Sequence, residues 1–486
     1  MAGLTAEAPA RTLGRYQLDS EMGRLTPAER AARGKAARAE VPRDSHDVFD
    51  PPPDRPDPIG LLEQQAKSRV PELVPVRWGR MMVSPFTYYR GAALPMASDL
   101  ATTPVSGLAV QACGDAHLSN FGLFGSAERR LMFDVNDFDE TLPGPWEWDV
   151  KRLAASLEVA ARDIGFSGKQ RREIVTAGVA SYRQAMRQFA AMTNLDVWYA
   201  HVDINELRAE FDSQLRARQR KLMDKGLAKA RTRDSIEQLS KLTQIVDGRP
   251  RIISDPPVLV PIDELLPTGK DWLSFQEETT SLIAKYQRTL ETDRRYLLQQ
   301  YELCHVARKV VGVGSVGTRC WIALMLGRDD SDPLFLQVKE AEASVLSRYA
   351  GASKHANQGQ RVVAGQRLMQ AAGDIFLGWQ RTEVGLDGKT RDFYVRQLRD
   401  WKFSIEIETL RPEGLRMYAG LCGWTLARAH ARSGDRIAIA AYLGGSAVFD
   451  RAIAQFATAY ADQNERDHQS LVDAVKSGRI TAEQGV

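Results

Sequence analysis

The sequence predicts an α+β protein, on three observations. Short strand-like runs with turn residues between them occupy residues 108–113, 121–124 and 131–133. A long helical stretch follows, with apolar residues at helical spacing such as Leu153, Leu157 and Ala160. A second β-rich stretch then spans 310 to about 408, before closing helices at about 415–432 and 448–475.

A chain of 486 residues exceeds a single-core domain and is expected to form two or three structural units. Hydrophobic content of 43% and charged content of 26% are ordinary for a globular protein. A net charge of +3 gives no reason to expect nucleic acid as a partner. Cys113, Cys304, Cys320 and Cys422 show no CxxC spacing, so neither a zinc site nor a disulfide framework is suggested. Reduced thiols in a cytoplasmic protein are the expectation. The N-terminus lacks a signal-peptide pattern, and the apolar stretch 437–449 is too short and glycine-rich to span a bilayer, so no membrane association is expected.

Residues 1–58, rich in Ala, Arg, Pro and Asp, read as an extended or disordered arm. Residues 59–150 hold the first strands and a Gly-Asp loop, and 151–305 are helical apart from the Pro256-Pro257 and Pro261 breaks. The β-rich region is 306–408, with a helical patch at about 360–377, and helices fill 409–486. The basic run Arg216, Arg218, Arg220, Lys221, Lys225, Lys229, Arg231 and Arg233 reads as a solvated helix face.

Two segments carry chemistry. In the first, Gly114-Asp115-Ala116-His117-Leu118-Ser119-Asn120 follows a hydrophobic strand, and Asp134-Val135-Asn136-Asp137-Phe138-Asp139-Glu140 ends a hairpin. Phosphoryl transfer needs a carboxylate near the attacking hydroxyl, oxygen ligands for Mg²⁺ and donors around the phosphates. Asp115 with Asn120 five residues on has the spacing of a catalytic base and a metal ligand. Asp137 supplies the second ligand, with Asp134 and Asp139 as fallbacks. Mg²⁺ suits such an Asn/Asp pair, and carboxylates set among Phe133, Val135 and Phe138 are costly without a bound cation.

The second segment is Gly312-Val313-Gly314-Ser315-Val316-Gly317, followed by a strand ending in Lys339. A dinucleotide fingerprint would need a helix directly after the glycines and an acid such as Glu340. Thr318 to Ile322 are poor in helix formers, so a β-hairpin over phosphates fits better, with Lys339 reaching in from the next strand. Glu342 is the candidate acid to position Lys339. Arg396 to Arg399 follow a strand where a hinge contacting adenine would lie. Arg80, Tyr89 and Arg90 are candidates for lining a substrate pocket, with a structural role at least as well supported.

Residues 80–86, Tyr89-Arg90-Gly91, 114–122 and 136–149 resemble a bacterial family of unknown function, domain-of-unknown-function family 2252, associated with the protein-kinase-like clan. Gly-Asp-Ala-His-x-x-Asn is also similar to the Gly-Asp-Leu-His-x-x-Asn loop of aminoglycoside and choline phosphotransferases. The resemblance implies a bilobal kinase-like fold, ATP and Mg²⁺ as cofactors, and Asp149 as the buried brace of the catalytic loop. It departs from the pattern at Cys113, where a histidine is usual. In that superfamily the glycine loop and lysine precede the catalytic loop, and here they follow it. The helix at 415–432 leads into His430…Gly434-Asp435, but Ala440 stands where Asn is needed, so Asp435 is expected to begin an ordinary helix. A circular permutation reconciles the order: catalytic loop first, nucleotide lobe last. The expected activity is phosphotransfer to a hydroxyl acceptor, a small molecule ahead of a protein. The alternatives are a nucleotide-binding pseudokinase, a nucleotidyl transferase and an NAD(P)-dependent oxidoreductase.

Overall fold

The computed structural model describes residues 18, 24–206, 235–266, 272–385, 387–398, 401 and 405–485. The basic run 216–233 and Arg399 lie outside them. Mixed α and β structure, 51% helix and 16% strand, agrees with the α+β class.

The first strand, β1 (Ala109–Ala112), leads into the Gly-Asp loop, and β2 (Phe121–Gly125) and β3 (Leu131–Val135) form the expected hairpin. A fourth strand, β4 (Leu142–Pro145), was hidden in the sequence by its Pro and Gly content. It pairs antiparallel with β1, placing Ala112 opposite Leu142. The chain between them is thereby tied into a closed unit, with the Gly-Asp loop beside the acidic string.

The helices Trp146–Asp163 and Gly168–Ala191 follow as expected. The region after them is less helical than its composition implied. It contains the hairpin β5 (Thr243–Val246) and β6 (Arg249–Ile252), then β7 (Leu259–Pro261) and β8 (Glu302–Lys309). With β9 (Cys320–Leu326), β10 (Pro333–Glu340), β11 (Gly378–Thr382) and β12 (Arg391–Gln397), β7 and β8 form a sheet in the order β11-β12-β10-β9-β8-β7. Every pairing in it is antiparallel. The expected division at 305/306 therefore falls inside a strand. The glycines join β8 to β9 as a hairpin connection, and Lys339 lies on β10, hydrogen-bonded to β9. A strand, not a helix, follows the glycine loop, so the dinucleotide fingerprint lacks its defining context.

The sheet builds its own apolar clusters, one around Tyr286, Val306, Leu334 and Val395, another around Ile252, Ile322 and Phe335. A separate core joins β1–β4 to the long helices through Trp146, Leu157, Tyr182, Leu426 and Phe456. Residues 27–40, expected to be an extended arm, form a helix instead. Thr26 and Glu29 close a capping box at its start, and it packs on the helix Arg436–Leu443. Its small residues allow this: a Cβ on Gly34 would lie 2.0 Å from the Ala438 carbonyl oxygen. Among the described residues no single helix is long and apolar enough to cross a membrane.

The helix Pro412–Ser433 crosses Gly168–Ala191 at near backbone contact, since a Cβ on Gly423 would sit 2.1 Å from the Gly178 carbonyl oxygen. Gly420, three residues earlier, faces open space. Gly423→Ala is expected to destabilise the fold by about 1–3 kcal/mol through overpacking. Gly420→Ala should stabilise it by roughly 0.5–1 kcal/mol through helix propensity. Denaturant unfolding of the two variants should show opposite signs.

Candidate active site

The Gly-Asp loop is held from below. Asp149, near the start of the helix Trp146–Asp163, accepts hydrogen bonds from the backbone N–H groups of Cys113 (2.6 Å) and Gly114 (3.0 Å). This is the bracing that the resemblance implied for it. His430 Nε2 lies 3.0 Å from Asp149 Oδ2, and its Nδ1 lies 2.9 Å from the Tyr182 hydroxyl. A histidine from the far end of the chain thus sits beside the loop whose own position 113 is cysteine. Gly114 has φ of +80°, and a Cβ there would lie 2.3 Å from the Glu140 carbonyl oxygen. Glycine is required by both backbone conformation and close approach.

Asp115, Asn120, Asp137, Asp139 and Glu342 line one cavity of about 370 Å³, together with Gly312 and Gly314 of the glycine loop. The two segments singled out in the sequence meet there. Asp115 Oδ1 is gripped by the buried Arg152 guanidinium, through Nε at 2.7 Å and a terminal nitrogen at 2.6 Å. Arg152 also stacks on Tyr89, 4.3 Å from its ring centre. Asp115 Oδ2 is 3.8 Å from His117 Nε2, beyond hydrogen-bonding distance. Burial pushes the His117 pKa down to about 3, with Arg90 and Arg152 adding to the fall and Asp115 opposing it, so the ring is neutral at pH 7. Asn120 donates its amide N–H to the Asp115 carbonyl oxygen at 2.8 Å, leaving the amide oxygen as the group for a cation.

Lys339 is buried and forms an ion pair with Asp139, and its Nζ is 3.8 Å from Asp137 Oδ2. Burial opposes its charge, but the two carboxylates outweigh this and hold its pKa well above the ordinary lysine value. Asp139 also accepts from the Tyr394 hydroxyl at 2.8 Å and the Ser315 hydroxyl at 3.4 Å. Glu342 lines the cavity without bracing Lys339. That part is played by Asp139, and Arg361, on the helix Gln358–Met369, ties the two places together. Its guanidinium donates to the carbonyl oxygens of Asp139 (2.7 Å), Thr141 (2.7 Å) and Glu342 (2.8 Å). Gly317, with φ of +87°, packs on the buried Arg69 side chain, which donates to the Val316 carbonyl.

Asp134 is not brought into the cavity. Its carboxylate is fully buried, paired with Arg428 at 2.6 and 2.7 Å, and also accepts from the N–H groups of Val135 and Ala371. That saturation leaves it no capacity for metal. Arg396, expected near a hinge, donates to Gln337 Oε1 and to the Asn136 carbonyl, supporting the acidic string from β12. Arg80 donates to the Gly312 carbonyl at 2.7 Å, and Tyr89 donates to the Arg152 carbonyl at 2.7 Å. Arg90 lines the cavity. Sequence reading missed Arg152, Arg361, Arg428 and Tyr394. An arginine on a helix carries no local signal of the carboxylate or carbonyl it will meet.

Among the described residues no three His, Cys, Asp or Glu side chains are grouped to hold a metal ion. Asn120 and Asp137 both line the cavity, and an Asn/Asp pair of that kind suits Mg²⁺, which takes its remaining ligands from water and phosphate. Residues 69–474 match the family described as an uncharacterised protein conserved in bacteria, DUF2252, and the chain belongs to it. No curated protein and no solved structure matches the chain.

Two measurements check these assignments. Asp134→Ala leaves Arg428 buried and uncompensated, and should cost about 3–5 kcal/mol in denaturant unfolding. His117 is buried neutral, so between pH 6.5 and about 3 the unfolded state binds a proton that the folded state refuses. Stability is then present above pH 6.5 and lost on acidification, at up to ~1.4 kcal/mol per pH unit. His117→Gln should show a shallower loss than the wild type over that window.

Proposed function

We propose that this chain is a Mg²⁺·ATP-dependent phosphotransferase with a hydroxyl acceptor, built on a circularly permuted, bilobal kinase-like fold. One observation carries the reading. Lys339, 200 residues along the chain from Asp139, is paired with it and lies 3.8 Å from Asp137, at the cavity that Asp115 and Asn120 line. A glycine hairpin, a lysine on the following strand, an Asp/Asn loop and an acidic string are the parts that position and neutralise a triphosphate.

The chain ends of the proposed permutation support it. Ser433, closing the helix Pro412–Ser433, accepts from the Gln111 N–H at 3.2 Å, and a Cβ on Gly434 would lie 2.8 Å from the Ala109 carbonyl oxygen. The helix that feeds the catalytic loop in an unpermuted kinase therefore ends against β1, the strand that feeds it here. Asp435 caps the next helix through the N–H groups of Ile437 and Ala438 and takes no part in the cavity. The separate apolar clusters of sheet and helices support two lobes.

In this reading Asp115 presents Oδ2 to the acceptor hydroxyl, while Arg152 fixes Oδ1 and the rotamer. The acceptor oxygen bonds to the γ-phosphorus as the bond to the β,γ-bridging oxygen breaks. The electron pair leaves on ADP, and the acceptor proton passes to Asp115. Asn120 and Asp137 would hold Mg²⁺, which supplies charge neutralisation at the phosphate oxygens when bound. Lys339 contacts phosphates beneath Gly312, Gly314 and Gly317. A nucleotide-binding pseudoenzyme is the second reading. It is favoured by the helix Gln358–Met369, which contains no glutamate to pair with Lys339, and by Arg152 on the would-be base.

Thermal unfolding with ATP, with and without Mg²⁺, tests the proposal. Saturating Mg²⁺·ATP at about 100 times its Kd should add roughly 2.7 kcal/mol, a shift of several degrees. Asp137→Ala and Lys339→Ala should lose most of it. No nucleotide effect in the wild type sinks the reading, and selective stabilisation by NAD(P) transfers it to an oxidoreductase. Binding without turnover across hydroxyl acceptors selects the pseudoenzyme.

A further inference from the structure

We propose that the acceptor carries an oxyanion group, a carboxylate or phosphate, received by Arg90 at the Asp115 end of the cavity. This rests on the phosphotransferase reading of the same cavity and names its substrate class.

The cations around the cavity are not equivalent. Lys339 is engaged by Asp137 and Asp139. Arg69 donates to the Val316 carbonyl through a terminal nitrogen, its buried Nε has no partner among the described residues, and four acids surround its charge, Glu342, Glu140, Glu340 and Asp139. Arg348 reaches the Gln64 amide oxygen at 3.4 Å. Arg90 lies at the other end, where its charged neighbours are Asp115 and Glu408. Of these, Asp115 has its Oδ1 held by Arg152 through two nitrogens, with Oδ2 outside that grip. Arg90 Nε is buried and has no hydrogen-bond partner among the described residues. His117 Nδ1, on the same cavity wall and on a side chain 4% exposed, has none either.

A partly buried guanidinium whose buried Nε is an idle donor is costly unless something supplies charge and acceptors. Carboxylate and phosphate match its fork geometry. The location separates the acceptor from the nucleotide: the phosphates of ATP fall to Lys339 and the glycine loop, while Arg90 flanks the oxygen of the proposed base. Gly314 closes the loop over this corner, since a Cβ there would meet the Arg90 carbonyl oxygen at 3.1 Å. An acceptor hydroxyl at Asp115 and its oxyanion at Arg90 would then be held at two points, which orients the attacking oxygen.

The test uses the full chain with Mg²⁺ and the imido analogue of ATP, which fills the donor half including the γ-phosphate position. Inorganic phosphate is then titrated by calorimetry, with glycerol as an uncharged control. The wild type should bind phosphate and not glycerol. Arg90→Gln should weaken phosphate at least tenfold while analogue affinity stays within twofold, and Arg90→Lys should retain part of it. Circular dichroism confirms that each variant is folded. Equal phosphate binding by wild type and Arg90→Gln, or no phosphate binding by the wild type, overturns the proposal. A parallel loss of analogue affinity in Arg90→Gln assigns Arg90 to the nucleotide and also overturns it. Failure of the analogue to bind the wild type instead overturns the phosphotransferase reading, and a nucleotide-free phosphate titration reports Arg90 independently in that case.

Discussion

The Asp139 carboxylate receives Lys339 from β10, Tyr394 from β12 and Ser315 from the glycine loop, while its carbonyl receives Arg361 from the helix Gln358–Met369. Four places in the β-rich region thus converge on one residue of the N-terminal unit. The β1–β4 pairing ties that residue to the Gly-Asp loop, so whatever fixes Asp139 also fixes Asp115 and Asn120 relative to Lys339. The distance between the two segments is set here, by a cluster of partly buried charge-assisted hydrogen bonds. Such bonds are strong only when every partner is present, because each group left alone would bear its full desolvation cost.

The same logic sorts the acids around the cavity. Asp134 is saturated by Arg428 and two backbone N–H groups and acts as a structural post. Asp149 spends its acceptors on the Gly-Asp loop backbone and His430. Burial pushes the Glu140 pKa up to about 7, although the Val345 N–H and Arg361 oppose the rise. Asp115, Asn120, Asp137, Asp139 and Glu140 line the cavity, whereas Asp134 does not. Which acids face the cavity and which are used up by the fold is a division invisible in a string that reads Asp-Val-Asn-Asp-Phe-Asp-Glu.

A further consequence concerns the glycine loop. Arg80 holds the Gly312 carbonyl and Ser315 touches Asp139, so the loop lies down on the acidic string. In the proposed function a triphosphate would replace these contacts with its own oxygens. The loop, the lysine and the metal-binding string would respond to the nucleotide together, as one coupled set.

Much of this was legible in the chain. Local patterns gave β1, the β2–β3 hairpin, the lysine strand and the long helices, because strand and helix periodicity depends on neighbours two to four residues away. Asp115, Asn120, Asp137 and Lys339 could be singled out as candidates because spacing within a loop or strand is also local, and the fold brings their segments together. Other features depended on contacts across hundreds of residues. Residues 27–40 became a helix against Arg436–Leu443, His430 came to stand beside a loop whose position 113 is cysteine, and Asp139 took the place expected of Glu342. The fate of Asp134 was likewise decided by Arg428, 294 positions away. Composition and periodicity determined which residues could do the chemistry. The tertiary structure alone decided which were left available for it, since a buried charge takes its role from the partner that neutralises it, and no local pattern in the sequence names that partner.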